Sequence, residues 1–335
     1  MFIGKASLKY EEEVFIQGYA SVVGKKEGEG PLGSLFDQII TDPFFGGDNW
    51  EDGESRLQHT IAVSAIKNSG LDLKDIRYIF AGDLLGQLIA TSFGLKTLDI
   101  PLFGLYGACS TMGEALSLGS MCISGGCAEH VLCMTSSHFA SAEKSFRFPL
   151  GYGSQRKFSA TWTVTGGGGI VLGRSGGIAR ITGITTGKIV DYGCKDKENM
   201  GACMAPAAAD TIHTHLTDYQ IQPSEYDKII TGDLGYIGQT ILLDLLDEKG
   251  WHIADRHMDC GIEIFDSQSQ DTHAGASGCG CSASVLCSLI LKNICNGTWK
   301  KILFVPTGAL FSPVSSNEGQ SIPGIAHAVV IESLQ

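Results

Sequence analysis

No run of eighteen apolar residues occurs anywhere in the 335-residue chain, so no segment reads as a transmembrane helix. The opening Met1-Phe-Ile-Gly-Lys-Ala lacks the apolar core of a secretory signal, and no signal peptide is expected. Basic residues are short as well: 24 Lys and Arg stand against 36 Asp and Glu, a formal net charge of −12. No basic cluster compensates for it, which argues against a nucleic-acid partner. Eleven cysteines include no Cys-x-x-Cys pair; Cys279-Gly-Cys281 is the closest spacing, and no histidine completes a zinc pattern. No metal site is expected. The cysteines are odd in number and often set in apolar helical runs (Cys122, Cys127, Cys133, Cys287, Cys295), which suits a reducing compartment better than a disulfide framework. Nucleotide fingerprints are missing too. Lys25-Lys-Glu-Gly-Glu-Gly-Pro-Leu lacks the P-loop order and reads as a structural or interface loop, and Thr165-Gly-Gly-Gly-Gly169 opens a strand instead of a helix.

What is present is an ordinary globular composition, 43% hydrophobic and 18% charged, in a chain long enough for two domains or one duplicated unit. Residues 1–50 read as an irregular opening with short strands at 14–16 and 19–23. A helical pattern at 49–69 leads to a strand at 75–81 and a second helix at 85–94. A strand at 100–103 is followed by a helix at 110–124, and strands at 130–135 and 163–172 close the first half. The plan then repeats. Asp75-Ile-Arg-Tyr-Ile-Phe-Ala-Gly-Asp-Leu84 returns as Glu225-Tyr-Asp-Lys-Ile-Ile-Thr-Gly-Asp-Leu234. A helix at 210–219 precedes it. Gly275–Ser282 opens a helix to Asn296 as Gly107-Ala-Cys109 opens its own, and 301–306 and 325–331 match the two closing strands. This spacing predicts a duplicated α/β fold with mostly parallel sheets between helices, divided into halves 1–175 and 176–335.

The chemistry gathers at Leu105-Tyr-Gly-Ala-Cys109-Ser-Thr111, where an apolar run turns sharply into a helix. A thiol at a helix start meets unpaired N–H groups and the positive end of the helix dipole, a place that eases ionisation and receives anions. Cys109 is therefore read either as a nucleophile or as part of a carboxylate pocket, against the bland alternative of a buried free thiol. Strand ends in such folds share one cleft, which collects Asp83, Ser110, Ser136, Ser137, His138, Asp233, the 275–282 turn and Thr307-Gly308. His138 or His273 could serve as base or be structural. His327 reads as core. Asp83 and Asp233 read as helix caps or cleft-facing carboxylates.

A two-halved chain with a Gly-Ala-Cys-Ser turn resembles the thiolase and ketoacyl synthase superfamily over essentially its whole length. Long, ordered words bring the likeness closer to one family, the stage V sporulation AD proteins of spore-forming bacteria. They are Lys26–Gly33, Ala81–Leu85, Leu105–Thr111, Thr135–His138, Ser145-Phe-Arg-Phe-Pro149, Met204–Ile212, Ala274–Ala283 and Ser321–His327. The resemblance implies a duplicated, thiolase-like five-layer αβαβα fold, usually dimeric. It implies a protein that binds dipicolinic acid, alone or with calcium, without established catalysis or a cofactor of its own. It also implies a peripheral place on the cytoplasmic side of the forespore inner membrane, beside membrane-embedded subunits of the stage V sporulation A complex, in dipicolinate uptake and release. Condensing enzymes of the superfamily would carry a histidine at 231–234 and a histidine or asparagine at 275–282. Thr-Gly-Asp-Leu and Gly-Ala-Ser-Gly-Cys-Gly-Cys-Ser stand there instead. On this reading Cys109 is vestigial, and the helix start with Ser110, Ser136 and Ser137 receives one carboxylate while Arg147 clamps the other. Asp83 or Asp233 would touch a calcium ion held by the ligand. An active acyltransferase with Cys109 as nucleophile is the alternative.

Overall fold

The computed structural model describes residues 1–145, 147 and 155–335. The loop read at 145–153 lies, apart from Ser145 and Arg147, outside the described residues. In chain order the elements that position the site are β1 (Ser7–Gly24), α1 (Trp50–Asn68), β2 (Tyr78–Gly82), β3 (Leu102–Gly104), α2 (Thr111–Ser124), β4 (His130–Ser137) and β5 (Gly166–Gly173). The second half adds β6 (Ala179–Thr185), α3 (Met200–Tyr219), β7 (Lys228–Thr231), α4 (Gly235–Asp247), β8 (His257–Asp259), α5 (Cys279–Val285), β9 (Lys301–Val305) and β10 (Ala328–Ser333).

Ten of these strands form one path in the order β8-β7-β9-β10-β6-β1-β5-β4-β2-β3, symmetric about the β6–β1 seam. On each side three strands run parallel, β3-β2-β4 and β8-β7-β9. Two antiparallel steps then reach the seam on each side. The expectation of mostly parallel sheets therefore holds only for the outer three strands. Where no helix crosses over, as between β4 and β5, nothing forces the chain to return in the same direction.

Strand alternation explains the layers. Ile79, Leu132 and Val171 point to a core shared with Leu57 and Ile61 of α1. Their neighbours Phe80, Cys133 and Ile170 point to a second core with Met112 and Leu116 of α2. In the other half Ile229, Leu303 and Val330 meet Ile212 of α3 and Leu242 of α4, while Ile230, Phe304 and Val329 face the same second core from the opposite side. Three cores between alternating helices and half-sheets make five layers, αβαβα. Each fully buried Leu or Ile contributes about 1.5–3 kcal/mol, and period-two patterning sends each to one core.

Two local readings change. The opening is one continuous 18-residue strand, not short pieces. Its Lys9–Glu13 stretch looks unlike a strand because it carries the register shift at which β1 passes along β6. The charged loop after it contains a short helix, Lys25–Gly28, whose Glu27 is buried and accepts the Thr165 N–H at 2.9 Å. The helix at 210–219 also starts earlier, at Met200, where the Asn199 side chain accepts the Ala202 N–H.

The glycine run of β5 is a packing requirement. A Cβ on Gly168 would stand 2.3 Å from the Ala283 carbonyl oxygen of α5. Gly168→Ala must push that helix off the sheet and should destabilise the fold by about 1–3 kcal/mol. Urea denaturation checks this; an unchanged midpoint would mean that α5 has slack against β5.

Candidate functional site

Loops from both halves enclose a cleft of about 540 Å³. Its floor is Ala108 and Cys109 from one half and Ser277, Gly278 and Ala309 from the other, with Tyr106, Met204 and Phe311 as apolar walls. Charged groups at its side are Arg147, Lys197 and Glu198.

The cysteine turn is held tightly. Ala108 takes a left-handed φ of 50°, unusual for a residue with a Cβ. The Ser110 hydroxyl donates to the Gly107 carbonyl at 2.7 Å and the Thr111 hydroxyl to the Ala108 carbonyl at 2.7 Å. From the second half, Gly308 lies so close that a Cβ there would stand 2.2 Å from the Gly107 carbonyl oxygen. The turn is thus clamped between halves before any side chain of Cys109 is considered.

The environment of that thiol differs from the sequence expectation. Ser277 Oγ donates to Asp233 at 2.9 Å and lies 3.8 Å from Cys109 Sγ. A hydroxyl has one hydrogen, so with it on Asp233 the thiol is the donor to Ser277. Asp233 is also a direct hydrogen-bond partner of the thiol. Burial pushes the Cys109 thiol well above its ordinary range, and the Asp233 charge adds to this. The expected ease of ionisation is therefore corrected: desolvation outweighs the helix start, which begins here with a 3₁₀ turn at Ala108–Ser110.

Asp233 does not face the cleft. It is buried and accepts from Ser277, from the Thr307 hydroxyl at 2.8 Å and from the Gly278 N–H at 3.0 Å. Burial raises its pKa while these donors oppose the rise. Asp259 supports the same strand end, accepting from the Thr231 hydroxyl and the Leu234 and Gly235 N–H groups.

The other expected ligand residues scatter. Asp83, equivalent to Asp233, is buried and accepts from Leu85 N–H at 2.7 Å and from the Thr91 N–H and hydroxyl at 2.8 and 2.6 Å. Neither aspartate has an oxygen turned to the cleft, so the expected calcium contact loses its ligands. Ser110 is spent within its turn. Ser136 donates to Glu54 at 3.0 Å, and Ser137 donates to the Val164 carbonyl at 2.7 Å. His138 donates from Nε2 to the Pro43 carbonyl at 2.8 Å and accepts the Ala140 N–H at 3.2 Å on Nδ1. It borders a different, smaller pocket beside Trp50 and Trp162. As a base for Cys109 it is excluded, since both ring nitrogens are engaged elsewhere. His273 bonds Asp271 and the Lys157 carbonyl, and His327 is buried, as its sequence position suggested. Cys109 and Arg147 alone of the expected set line the cleft.

Arg147 is already paired, with the buried Glu143 and with Glu198 at 2.8 Å. Glu143 is in turn fixed by the Thr163 N–H and hydroxyl. Sequence reasoning brought the loops of Ser277 and Thr307 to the cleft without giving either side chain a role, and it missed Glu143 and Lys197. Ser277 was visible inside the glycine-rich turn; Lys197 sits in a charged stretch with no periodic signal. Among the described residues no group of three or more His, Cys, Asp or Glu side chains is arranged to hold a metal.

The family model of stage V sporulation protein AD matches residues 4–332. Stage V sporulation protein AD of Bacillus subtilis (strain 168) is 40% identical over 329 residues, covering 98% of this chain and 97% of that protein. Among solved structures, 3-oxoacyl-[acyl-carrier-protein] synthase III from Aquifex aeolicus VF5 aligns with a TM-score of 0.59 at 15% identity, covering 95% of this chain and 99% of that one. Human mitochondrial 3-ketoacyl-CoA thiolase in complex with CoA aligns at 0.56 and 12% identity, covering 98% and 100%. At such identities these structures establish a shared thiolase-like fold.

The raised thiol has a measurable consequence. At pH 8 iodoacetamide should modify Cys109 at least roughly tenfold more slowly than the exposed Cys127. The Cys109 rate should climb only at higher pH, and Asp233→Asn should move that climb to lower pH. Peptide-resolved mass spectrometry reads both; equal rates at the two cysteines would contradict the assignment.

Proposed function

The chain belongs to the stage V sporulation protein AD family, and from that premise we propose that it is a binding protein for dipicolinate, holding the diacid in the Cys109 cleft without acyl-transfer chemistry. The observation that carries this reading is the surroundings of the thiol. Cys109 bonds both Ser277 and the buried Asp233, whose negative charge disfavours the thiolate that a covalent mechanism requires. Burial of the thiol, and after it the Asp233 charge, keep the proton on sulfur.

The cleft supports a planar diacid in other ways. Tyr106 and Phe311 offer flat apolar faces. Lys197 makes no ion pair among the described residues, and Arg147 can exchange Glu198 for a ligand carboxylate. Lys197 offsets part of the long-range repulsion expected from a chain of net charge −12, the charge of Arg147 being balanced by Glu143 and Glu198. Calcium, on this reading, travels with the diacid, because Asp83 and Asp233 have no oxygen to give it. No helix among the described residues is long and apolar enough to cross a membrane. Attachment to the forespore inner membrane is accordingly assigned to membrane-embedded partner subunits of the stage V sporulation A complex, in uptake and release of the ligand.

A second copy of the chain has a natural seat at the sheet edge. Strand β3 is terminal, and Leu102, Phe103 and Tyr106 are exposed there, with Phe93 nearby in sequence. An open strand edge with apolar side chains favours pairing with another chain. Phe103→Asp should leave a monomer in sedimentation velocity where the parent protein is a dimer; a monomeric parent would remove the proposal.

Calorimetric titration with dipicolinate tests the central reading. Saturable binding is expected with or without calcium, weakened about tenfold or more by Lys197→Gln, one lost charge-assisted contact being worth about 1.4 kcal/mol or more. Arg147→Lys should weaken binding too, and Cys109→Ala should leave it within a fewfold. No heat with either form of the ligand would sink the binding role. An acyl group transferred to Cys109 from an acyl-CoA, found by mass spectrometry, would restore the acyltransferase.

A further inference from the structure

The sulfurs of Cys194 and Cys203 stand 3.3 Å apart, and all eleven cysteines are free. Cys203 lies in the first turn of α3, and Cys194 in the loop leading into it. A covalent S–S bond needs about 2.05 Å, so an approach of roughly 1 Å suffices. The nine-residue separation makes that approach local. Cys203 is buried, with its sulfur also 3.4 Å from the Asn199 carbonyl oxygen, whereas Cys194 is half-buried between the exposed Gly193 and Lys195. An incoming reagent therefore meets Cys194 first, and Cys203 waits behind it.

We infer that Cys194 and Cys203 form a reversible disulfide that locks one wall of the cleft. The segment they bracket contains Lys197, Glu198 and Met200, all on the cleft lining. It is tied to the rest of the protein by Asp196 with Lys157 at 3.0 Å and by Glu198 with Arg147 at 2.8 Å. In the dithiol form those ion pairs hold the wall together with the Ile322 N–H on the Cys194 carbonyl at 2.8 Å and the Ser159 hydroxyl on the Glu198 carbonyl at 3.0 Å; in the disulfide form a covalent link to α3 joins them.

The oxidant is a small-molecule disulfide, RSSR. The Cys194 thiolate attacks one sulfur of RSSR, forming a mixed disulfide and releasing the first RS⁻, which takes up the proton that Cys194 had lost. The Cys203 sulfur then attacks the Cys194 sulfur, breaking the mixed disulfide and releasing the second RS⁻, which takes up the Cys203 proton. Two protein thiols are oxidised to one cystine and one RSSR is reduced to two RSH. Burial and the neighbouring Cys194 sulfur push the Cys203 thiol above its ordinary range. This leaves the more accessible sulfur to open the sequence. The inference does not depend on which ligand the cleft takes.

The test uses the full-length protein incubated with oxidised glutathione, quenched with iodoacetamide and mapped by mass spectrometry. A Cys194–Cys203 cross-link, lighter by two hydrogens and reversed by dithiothreitol, is the expected first product. Cys122 and Cys127, which also influence one another, serve as the internal comparison. In the oxidised protein, tryptic cuts after Lys195 and Lys197 should slow severalfold and leave fragments joined until reduction, and Tm should rise. Cys194→Ser should lose all three effects, and Cys122→Ser none. A stable glutathione adduct on Cys194 beside a free Cys203 would overturn the inference. So would a Cys122–Cys127 bridge forming with Cys194 and Cys203 still separately alkylated, or an unchanged proteolysis rate once the 194–203 link is present.

Discussion

A carboxylate taken out of water must be met by donors or give up its charge, and Asp233 imposes that constraint on the centre of this protein. Its oxygens collect the Ser277 hydroxyl and the Gly278 N–H from one turn of the second half and the Thr307 hydroxyl from another stretch. Through Ser277 the same network reaches Cys109 in the first half. The floor of the cleft is thus the outer face of one buried hydrogen-bonded network. Removing one of its members leaves a buried polar atom without a partner, which costs more than the bond itself contributes.

That network also separates scaffold from chemistry. The αβαβα layers are shared with 3-oxoacyl-[acyl-carrier-protein] synthase III and 3-ketoacyl-CoA thiolase, and on them this chain builds the strained Ala108 turn and the close approach of Gly308. None of them ionises a thiol. Ionisation depends on what stands at the two neighbouring strand ends, and here those positions carry a hydroxyl and a carboxylate. A carboxylate near a buried thiol raises its pKa, whereas an imidazole in its place could take the proton. The fold therefore persists while the surroundings of its cysteine hold the thiol in the protonated form.

The duplication was legible because it rests on local rules. The recurring Asp75–Leu84 and Glu225–Leu234 words and the period-two apolar strands need only neighbouring residues to be recognised. The long first strand was not, because its Lys9–Glu13 stretch alternates poorly and is held by pairing with β6, about 170 residues away. Site residues failed for a related reason. Ser136, Ser137 and His138 do end a strand, as read, but their side chains turn to Glu54, Val164 and Pro43 instead of the cleft. A strand end fixes where a backbone stops; which way each side chain then faces depends on the partners brought against it.

By itself the sequence determined the class of fold, its two-part plan, the position of Cys109 at a strand-to-helix turn and the lack of a histidine at either neighbouring strand end. Those are matters of residue identity and local periodicity. Tertiary structure alone decided that the thiol is kept protonated and that Asp83 and Asp233 are internal struts. It also decided that Arg147 is shared between two glutamates and that Lys197 reaches the cleft. Burial and the direction of a hydrogen bond arise only when distant segments meet, and together they hold the proton on Cys109.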